Sequence, residues 1–237
     1  GRSHFFDLQF LHAMATDVGE QAQDTLAKIL MWAEVMYRLA IGEGISGTDL
    51  LSNVPFTRTY TSTDGGTTES YRLGRFFDAR TRPLGTDTLD QLLTRRALFS
   101  GLNLGRRAIG SLLHTVQDSY AKGHVRRTLL NPNDLQPNST DQFKAGTWGR
   151  YGAIENFHCY RGQDEDLHAK YDVATGTDAA TLTSFNNLIG ARDAIEVSRR
   201  LLDMWQARTP WAAAAGPKAY LEGTVFKLAA NATAADT

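Results

Sequence analysis

Apolar positions recur with the period of an α-helix over three long stretches of the chain. In the first, from about 17 to 40, leucine, isoleucine, alanine and tyrosine side chains return every three or four residues. The second runs from about 89 into the region of residue 114, and the third runs from about 178 to 208. A shorter stretch follows at 217–230. Each pattern predicts a helix that buries one face.

Residues with capping preferences mark the predicted helix ends. Asp17 with Glu20 forms a capping-box signature at the start of the first helix, and Gly42 begins the turn that should end it. Asp87 or Thr88 is expected to cap the second helix. Glycines lower helix propensity, so their recurrence in the second helix predicts the close approach of a neighbouring helix or of an ion site. They are Gly101, Gly105 and Gly110.

The carboxy-terminal third is predicted to supply much of the core. Its long helix should bury a row of apolar side chains, namely Leu182, Phe185, Leu188, Ile189, Ile195, Leu201, Leu202 and Trp205. Between the second and third helices we expect a polar surface loop and then a short helix around 150–162. The terminal segment 231–237 is expected to fray.

Residues 42–86 interrupt the helical pattern. The runs TRTYTS and TTESYRL flank a TDGG turn, which predicts a β-hairpin. One face packed on the helices is favoured over a flap that touches substrate or membrane. The predicted fold is therefore all-α, a multi-helix bundle with an irregular β-hairpin-containing insertion at about 42–86, in a single domain over 1–237.

Composition excludes some classes of protein. Hydrophobic residues make up 42% and charged residues 22%, and no apolar run approaches the roughly 20 residues of a transmembrane helix. A net charge of −1 gives no general attraction to nucleic acid. The arginines near the centre of the chain are interpreted as solvated helix positions rather than a phosphate track. They are Arg95, Arg96, Arg106, Arg107, Arg126 and Arg127.

A single cysteine, Cys159, excludes an intrachain disulfide. We expect a buried thiol here, and not a metal ligand or a nucleophile, because the neighbouring His158 would point in another direction on a helix. The cysteine count does not indicate a cellular compartment.

The run HTVQDSYAKGH, residues 114–124, carries the first candidate chemistry. On a helix, His114 and Asp118 lie one turn apart on the same face, so that one metal ion could contact both. Gly123 then permits a break at which the chain could bring His124 back toward the same cavity.

A second pair of the same kind follows in HAKYD. His168 and Asp172 are again four residues apart. Neutral imidazoles and carboxylates are the ligands that Zn²⁺ takes at roughly 2.0–2.2 Å. Two such pairs with an extra histidine predict a zinc site that holds more than one ion.

With these residues in place, the chain resembles the zinc-dependent phospholipase C family, whose fold and metal site are shared with single-strand-specific zinc nucleases. That family carries His-x-x-x-Asp-x-x-x-x-x-His, often with glutamine before the aspartate, as in HTVQDSYAKGH here. Its later His-x-x-x-Glu, commonly HSKYE, is similar to HAKYD. Its early histidine segment, HFYDP, is similar to SHFFD, where His4 stands. The resemblance covers roughly 3–40 and 98–172.

The resemblance implies the following zinc ligands. His4, His114 and Asp118 would hold one ion, and His124, His168 and Asp172 another, for two or three Zn²⁺ in all. Asp118 would bridge to the third ion and act as the catalytic residue. Clustered zinc neutralises phosphoryl oxygens, lowers the pKa of a bound water toward ~7 and stabilises the departing alkoxide, so no protein nucleophile is needed.

Two departures from the family pattern affect this expectation. In the family an amino-terminal amine, a histidine and a water-activating aspartate precede the position of His4, whereas only three residues precede it here. A chain lacking its amino-terminal segment is favoured over a dinuclear or inactive site. Asp172 is shorter than the family glutamate by one methylene. For His12 we expect a mobile surface histidine rather than a substitute ligand.

The function that this resemblance implies is hydrolysis of phosphodiesters, with phospholipid head groups as substrate, at a membrane surface. A zinc nuclease of the same fold is the close alternative; nucleic acid is the less favoured substrate, because such nucleases have disulfides. A helical module with structural zinc only is the third hypothesis. Secretion or export follows from the resemblance, and sequons at Asn138 and Asn231 fit it.

Overall fold

The structure is a computed structural model. The described residues are 7–54, 57–61, 68–77, 84–94, 103–130, 150–160 and 190–236.

Five α-helices are described. They are α1 (Ala22–Ile41), α2 (Leu89–Thr94), α3 (Leu104–Asp118), α4 (Ala191–Gln206) and α5 (Pro217–Tyr220). A π-helical turn, Leu221–Val225, continues α5, and 3₁₀ turns lie at Gln9–His12, Leu51–Asn53 and Leu73–Phe76. Helix α3 packs against both α1 and α4, and these contacts form the centre of the bundle. No helix in the described ranges has the length and apolarity needed to cross a membrane.

Two antiparallel strand pairs accompany the helices. Strands β1 (Thr57–Thr61) and β2 (Thr68–Arg72) pair with Thr59 opposite Ser70, which confirms the hairpin predicted within 42–86. Strands β3 (Val125–Leu129) and β4 (Tyr151–Phe157) form a second pair with irregular register. The fold is therefore mostly helical, but the second pair lies outside the predicted insertion.

The helix predicted around 150–162 is wrong. Strand β4 occupies its place, with Val125 opposite Phe157 and Arg127 opposite Ile154. Ile154 and Phe157 are fully buried because the strand is sandwiched between β3 and the carboxy-terminal segment, to which Ile154 N donates at Lys227 O over 2.8 Å. A short apolar run is compatible with a helix or a strand, and burial between these neighbours favours the strand here.

Helix α1 begins five residues later than predicted. The capping box does not form, since the Glu20 carboxylate instead accepts hydrogen bonds from the Thr25 hydroxyl at 2.6 Å and Lys28 Nζ at 2.6 Å. The predicted end is confirmed: Gly42 caps the helix with φ of 70°, a left-handed conformation that glycine adopts at no steric cost.

The helix predicted from 89 into the central motif is interrupted. Thr88 and Gln91 exchange two hydrogen bonds of 3.1 and 2.8 Å, a capping box that confirms Thr88 as the cap of α2. Asn103 is extended and its side chain accepts from Arg106 N at 3.0 Å, so a new helix begins at Leu104. Residues 95–102, Gly101 included, lie outside the described ranges.

Of the two described glycines of α3, one lies at a close helix crossing. A Cβ on Gly105 would stand 3.0 Å from Ala40 O of α1, which confirms the predicted close approach there. At Gly110 nothing lies within 4 Å, so the same prediction is wrong for that position.

Helix α4 covers only the later half of the predicted third helix. Gly190, with φ of 80°, precedes its first residue, so the helix begins at Ala191; residues 161–189 lie outside the described ranges. Leu201 is fully buried as predicted. Ile195 was also predicted to be buried, but this prediction is wrong: the side chain is 47% exposed on the outer face of α4.

The carboxy-terminal segment is ordered, contrary to the expectation that it frays. The helical region predicted at 217–230 ends at Val225, and the chain then runs along the second sheet. Thr233 N donates to Glu155 O, Ala235 N to Glu20 O and Cys159 N to Asp236 O, over 2.7–2.8 Å. Cys159 is a buried thiol outside any disulfide, as predicted.

Candidate metal centre

The 3₁₀ turn at residues 9–12 carries the first residue of the site. Phe10 and Gln9 are fully buried, and Ala13 reverses the chain with φ of 55°. The Thr115 hydroxyl donates to Leu11 O at 2.6 Å, and His124 Nδ1 donates to His12 O at 2.8 Å. These bonds fix the turn, and with it His12, against the end of α3.

The last turn of α3 supplies the other two residues. His114 and Asp118 lie one turn apart on one face, as predicted, with His114 Nε2 3.3 Å from Asp118 Oδ2. Gln117, on the adjacent face, donates to Ser198 Oγ of α4 at 3.2 Å and so ties this end of α3 to the bundle.

Three ligand atoms converge at this point. His12 Nδ1 lies 2.8 Å from Asp118 Oδ2 and 3.0 Å from His114 Nε2. With the 3.3 Å between His114 and Asp118, the three atoms form a compact triangle. Among the described residues, His12, His114 and Asp118 form the group of histidines and carboxylates with the spacing of a metal site.

The proton requirements of this triangle favour a cation at its centre. A proton on His12 Nδ1 can be donated to Asp118, but that nitrogen then offers His114 no lone pair. The two imidazole nitrogens lie 3.0 Å apart, and a positive charge shared between their lone pairs, from either a proton or a metal ion, stabilises this short contact. The arrangement suits a cation that all three atoms can contact at once.

The donor set fits zinc. Imidazole nitrogen and carboxylate oxygen are both zinc ligands, and two histidines with one carboxylate is a ligand set of catalytic zinc sites. In a tetrahedral site with bonds of roughly 2.0–2.1 Å, neighbouring ligand atoms lie about 3.3 Å apart. The observed separations of 2.8–3.3 Å approach that value.

Burial differs across the cluster. The side chains of His12 and Asp118 are 14% and 16% exposed, whereas that of His114 is 56% exposed. The cluster is therefore closed on the side of the protein core and open to solvent beside His114.

His124 lies next to the cluster but outside it. Its Nδ1 is 3.8 Å from Asp118 Oδ2 and donates to His12 O, which fixes the tautomer with the proton on Nδ1. The ring is 1% exposed. In the described structure His124 positions the turn that carries His12; its predicted role as a ligand of a second ion stays a prediction.

A further histidine lies beyond His124. His158 N donates to His124 O at 2.9 Å, and its ring bonds to Asp236 Oδ1 at 2.7 Å. Burial lowers the pKa of His158, and the carboxylate of Asp236 opposes that shift. His158 therefore belongs to the junction between the sheet and the carboxy-terminal segment.

The predicted ligands fall into two groups. His114 and Asp118 meet as predicted. His4, His168 and Asp172 lie outside the described residues, so the two ion sites that include them stay predictions.

The expectation for His12 is wrong. His12 is not a mobile surface residue: it is largely buried and takes the position in the cluster that was predicted for His4. The sequence did hold a signal for this, because the apolar residues Leu8, Phe10, Leu11 and Met14 surround it. A segment that apolar has to be buried, and a histidine within it needs polar partners.

No family model, curated protein or solved structure matches this chain. The resemblance to zinc-dependent phospholipases C therefore stays a prediction that rests on the quoted motifs.

Proposed function

We propose that this protein is a zinc-dependent phosphodiester hydrolase whose ion is held by His12, His114 and Asp118. The observation that carries the proposal is the convergence of His12 Nδ1, His114 Nε2 and Asp118 Oδ2 within 2.8–3.3 Å of one another. Helix spacing alone brings only two of these atoms together, so the third arrives by tertiary folding.

The open side of the cluster favours catalytic zinc over structural zinc. Structural sites are usually closed by four protein ligands, whereas catalytic sites have three and leave a position for water or substrate. Here three ligands belong to the described residues, and His114 lies at the solvent boundary with 56% of its side chain exposed.

When bound, zinc would lower the pKa of a water molecule and polarise a phosphoryl oxygen. The residues of the chain have separate tasks. The Asp118 carboxylate would offset part of the positive charge of the ion. Because this carboxylate contacts both histidines, its replacement should disturb the whole ligand set. Thr115 and His124 hold the backbone of residues 11 and 12, which orients the His12 ring.

For the substrate we propose phospholipid head groups, cleaved on the glycerol side of the phosphate as in phospholipase C. The motif resemblance supports this proposal. The opening of the site beside His114 also supports it, because a head group at a lipid surface could reach the ion there. A nuclease activity of the same site would need the same residues, and only the substrate assay separates the two.

The first test is the zinc content of the purified protein, with Asp118→Asn and the matched control Asp203→Asn. Asp203 is an exposed carboxylate on α4 that does not belong to the cluster. We expect at least one zinc ion per chain in the wild type and in Asp203→Asn, and a marked loss in Asp118→Asn. A wild type that binds no zinc at micromolar concentration would refute the proposal.

The second test is hydrolysis of phosphatidylcholine vesicles and of single-stranded DNA by the zinc-loaded protein. We expect diacylglycerol release that is abolished in Asp118→Asn and retained in Asp203→Asn. Cleavage of DNA alone would assign the nuclease activity instead. Full zinc occupancy with neither activity would mean that the ion is structural.

A further inference from the structure

A cavity of about 420 Å³ lies on another part of the molecule, between α4, the β3–β4 pair and the π-helical turn. Tyr120, Tyr151 and Tyr220 line it together with charged side chains of α4 and with Arg150 and Lys227. None of the residues of the metal cluster contributes to its wall. Its volume lies in the range of small-molecule sites, roughly 300–1,000 Å³.

The two carboxylates of the cavity are already neutralised. Arg150 Nε lies 2.6 Å from Asp193 Oδ1, and Arg150 Nη2 lies 2.7 Å from Glu196 Oε2. Asp193 also accepts from Tyr151 N at 3.1 Å, and Glu196 pairs with Arg192 at 2.9 Å. These carboxylates are therefore held by protein cations and leave the cavity little negative charge.

Two other cations line the cavity without a carboxylate partner in the described part of the chain. They are Arg200, whose guanidinium lies 4.2 Å from the ring centroid of Tyr220, and Lys227. The Tyr220 ring orients the Arg200 guanidinium by a cation–π contact but does not neutralise it.

The buried guanidinium of Arg127 lies behind the cavity wall that Tyr120 forms. Arg127, predicted to be a solvated helix position, is instead buried in β3 and lies 4.2 Å from the ring centroid of Tyr120. It donates to Ser119 O, Gly152 O and Val225 O at 2.8–3.1 Å, all of them neutral acceptors. Burial lowers its pKa, yet arginine stays protonated in proteins, so a positive charge lies behind Tyr120.

The cavity thus has a surplus of positive charge. Three lining cations, Arg150, Arg200 and Lys227, face two carboxylates, and Arg127 behind Tyr120 adds to the positive field, which the low dielectric of the wall strengthens. Tyr120 adds a hydrogen-bond donor: it is 7% exposed, lines the cavity, and its hydroxyl makes no hydrogen bond to the described residues. The hydroxyl is therefore free to donate a hydrogen bond to a ligand in the cavity.

We propose that this cavity binds a small organic phosphate, a phosphate monoester on a body of sugar or mononucleotide size. Arg200, Lys227 and the Tyr120 hydroxyl contact the phosphate, and the rings of Tyr151 and Tyr220 contact the body. A monoester carries close to two negative charges at neutral pH, so the positive charge of Arg200 and Lys227, which no described carboxylate neutralises, attracts it. Arginine and lysine are the usual partners of such an oxyanion.

The experiment is calorimetric titration of the purified protein at low salt with ribose 5-phosphate, ribose and inorganic phosphate. We expect saturable binding of ribose 5-phosphate, at least tenfold weaker binding of inorganic phosphate, and none of ribose. Equal affinity for inorganic phosphate would overturn the assignment to an ester, and binding of ribose would overturn the role of the phosphate.

Variants locate the site. Arg200→Gln and Lys227→Gln should each weaken binding about tenfold, whereas Arg199→Gln, an exposed neighbour on α4 that does not line the cavity, should change it less than twofold. Tyr120→Phe should weaken it severalfold. If Arg199→Gln weakens binding as much as Arg200→Gln does, only general attraction is at work and the proposal fails.

A last variant separates this proposal from the proposed function. Asp118→Asn removes a ligand of the metal cluster and should leave the affinity for ribose 5-phosphate unchanged. Loss of binding in that variant would mean that the phosphate is held at the metal cluster and not in the cavity.

Discussion

Asp118 Oδ2 lies 2.8 Å from Nδ1 of His12, although 106 residues separate the two in the chain. This contact adds His12 to a pair of residues, His114 and Asp118, whose spacing is set by helix geometry alone. The bond from the Thr115 hydroxyl to Leu11 O makes it possible, because it holds the 3₁₀ turn against α3.

Replacement of His12 should reduce zinc binding. We expect His12→Gln to weaken zinc affinity by more than about 100-fold, beyond the roughly 10–100-fold cost of losing an outer-shell partner. Competition with a zinc-sensitive dye measures the affinity. His158→Gln, which removes a histidine outside the cluster, is the control; unchanged affinity in His12→Gln would exclude His12 as a ligand.

The ion pair of Lys28 and Glu20 should contribute strongly to stability. Lys28 Nζ lies 2.6 Å from Glu20 Oε2, and both side chains are about nine-tenths buried. Breaking a buried pair leaves an uncompensated charge, which costs about 3–5 kcal/mol.

Urea unfolding of Lys28→Met should therefore show a loss of that size. The double variant Glu20→Gln with Lys28→Met should recover part of it, since no charge is then left buried. A loss below about 1 kcal/mol in Lys28→Met would mean that the pair is effectively solvated.

Stability should fall in alkaline solution through Tyr37. Burial, with a smaller effect of Glu43, raises the pKa of Tyr37 to about 12. The unfolded chain has a tyrosine pKa near ~10, so it releases the proton first, and stability that is complete below pH ~10 is lost as pH rises toward 12. Two pKa units correspond to about 2.7 kcal/mol.

Tyr37→Phe separates this effect from the loss of a hydrogen bond. The Tyr37 hydroxyl donates to Thr209 O at 3.0 Å, so the variant should be about 1–3 kcal/mol less stable at pH 8. Its deficit should shrink between pH 10 and 12, as measured by urea unfolding across that range. A deficit that stays constant with pH would contradict the raised pKa.

Removal of the carboxy-terminal segment should destabilise the sheet. Truncation after Ala232 deletes four backbone hydrogen bonds, one made by Thr233, two by Ala235 and one by Asp236. At about 0.5–1.5 kcal/mol for each bond, the loss should be about 2–6 kcal/mol. Thermal unfolding of the truncated chain measures it, with deletion of Thr237 alone as control; an unchanged Tm would show that the segment adds nothing to the fold.

Features with local causes could be predicted from the amino-acid sequence. The one-turn spacing of His114 and Asp118, the cap of α2 at Thr88, the glycine end of α1 and the β1–β2 hairpin each depend on a few neighbouring residues. Helical period, capping chemistry and turn residues act over such short distances, so the pattern of residues is sufficient to predict them.

Which distant segments meet depends on the packing of whole elements and was not predictable from local patterns. His12 joins the cluster because Thr115 and His124 bind its turn, β4 is a strand because β3 and the carboxy-terminal segment hydrogen-bond to it, and Arg127 is buried by the same sheet. Contacts between residues far apart in the chain depend on how whole elements pack, and a single sequence carries no local signal for that.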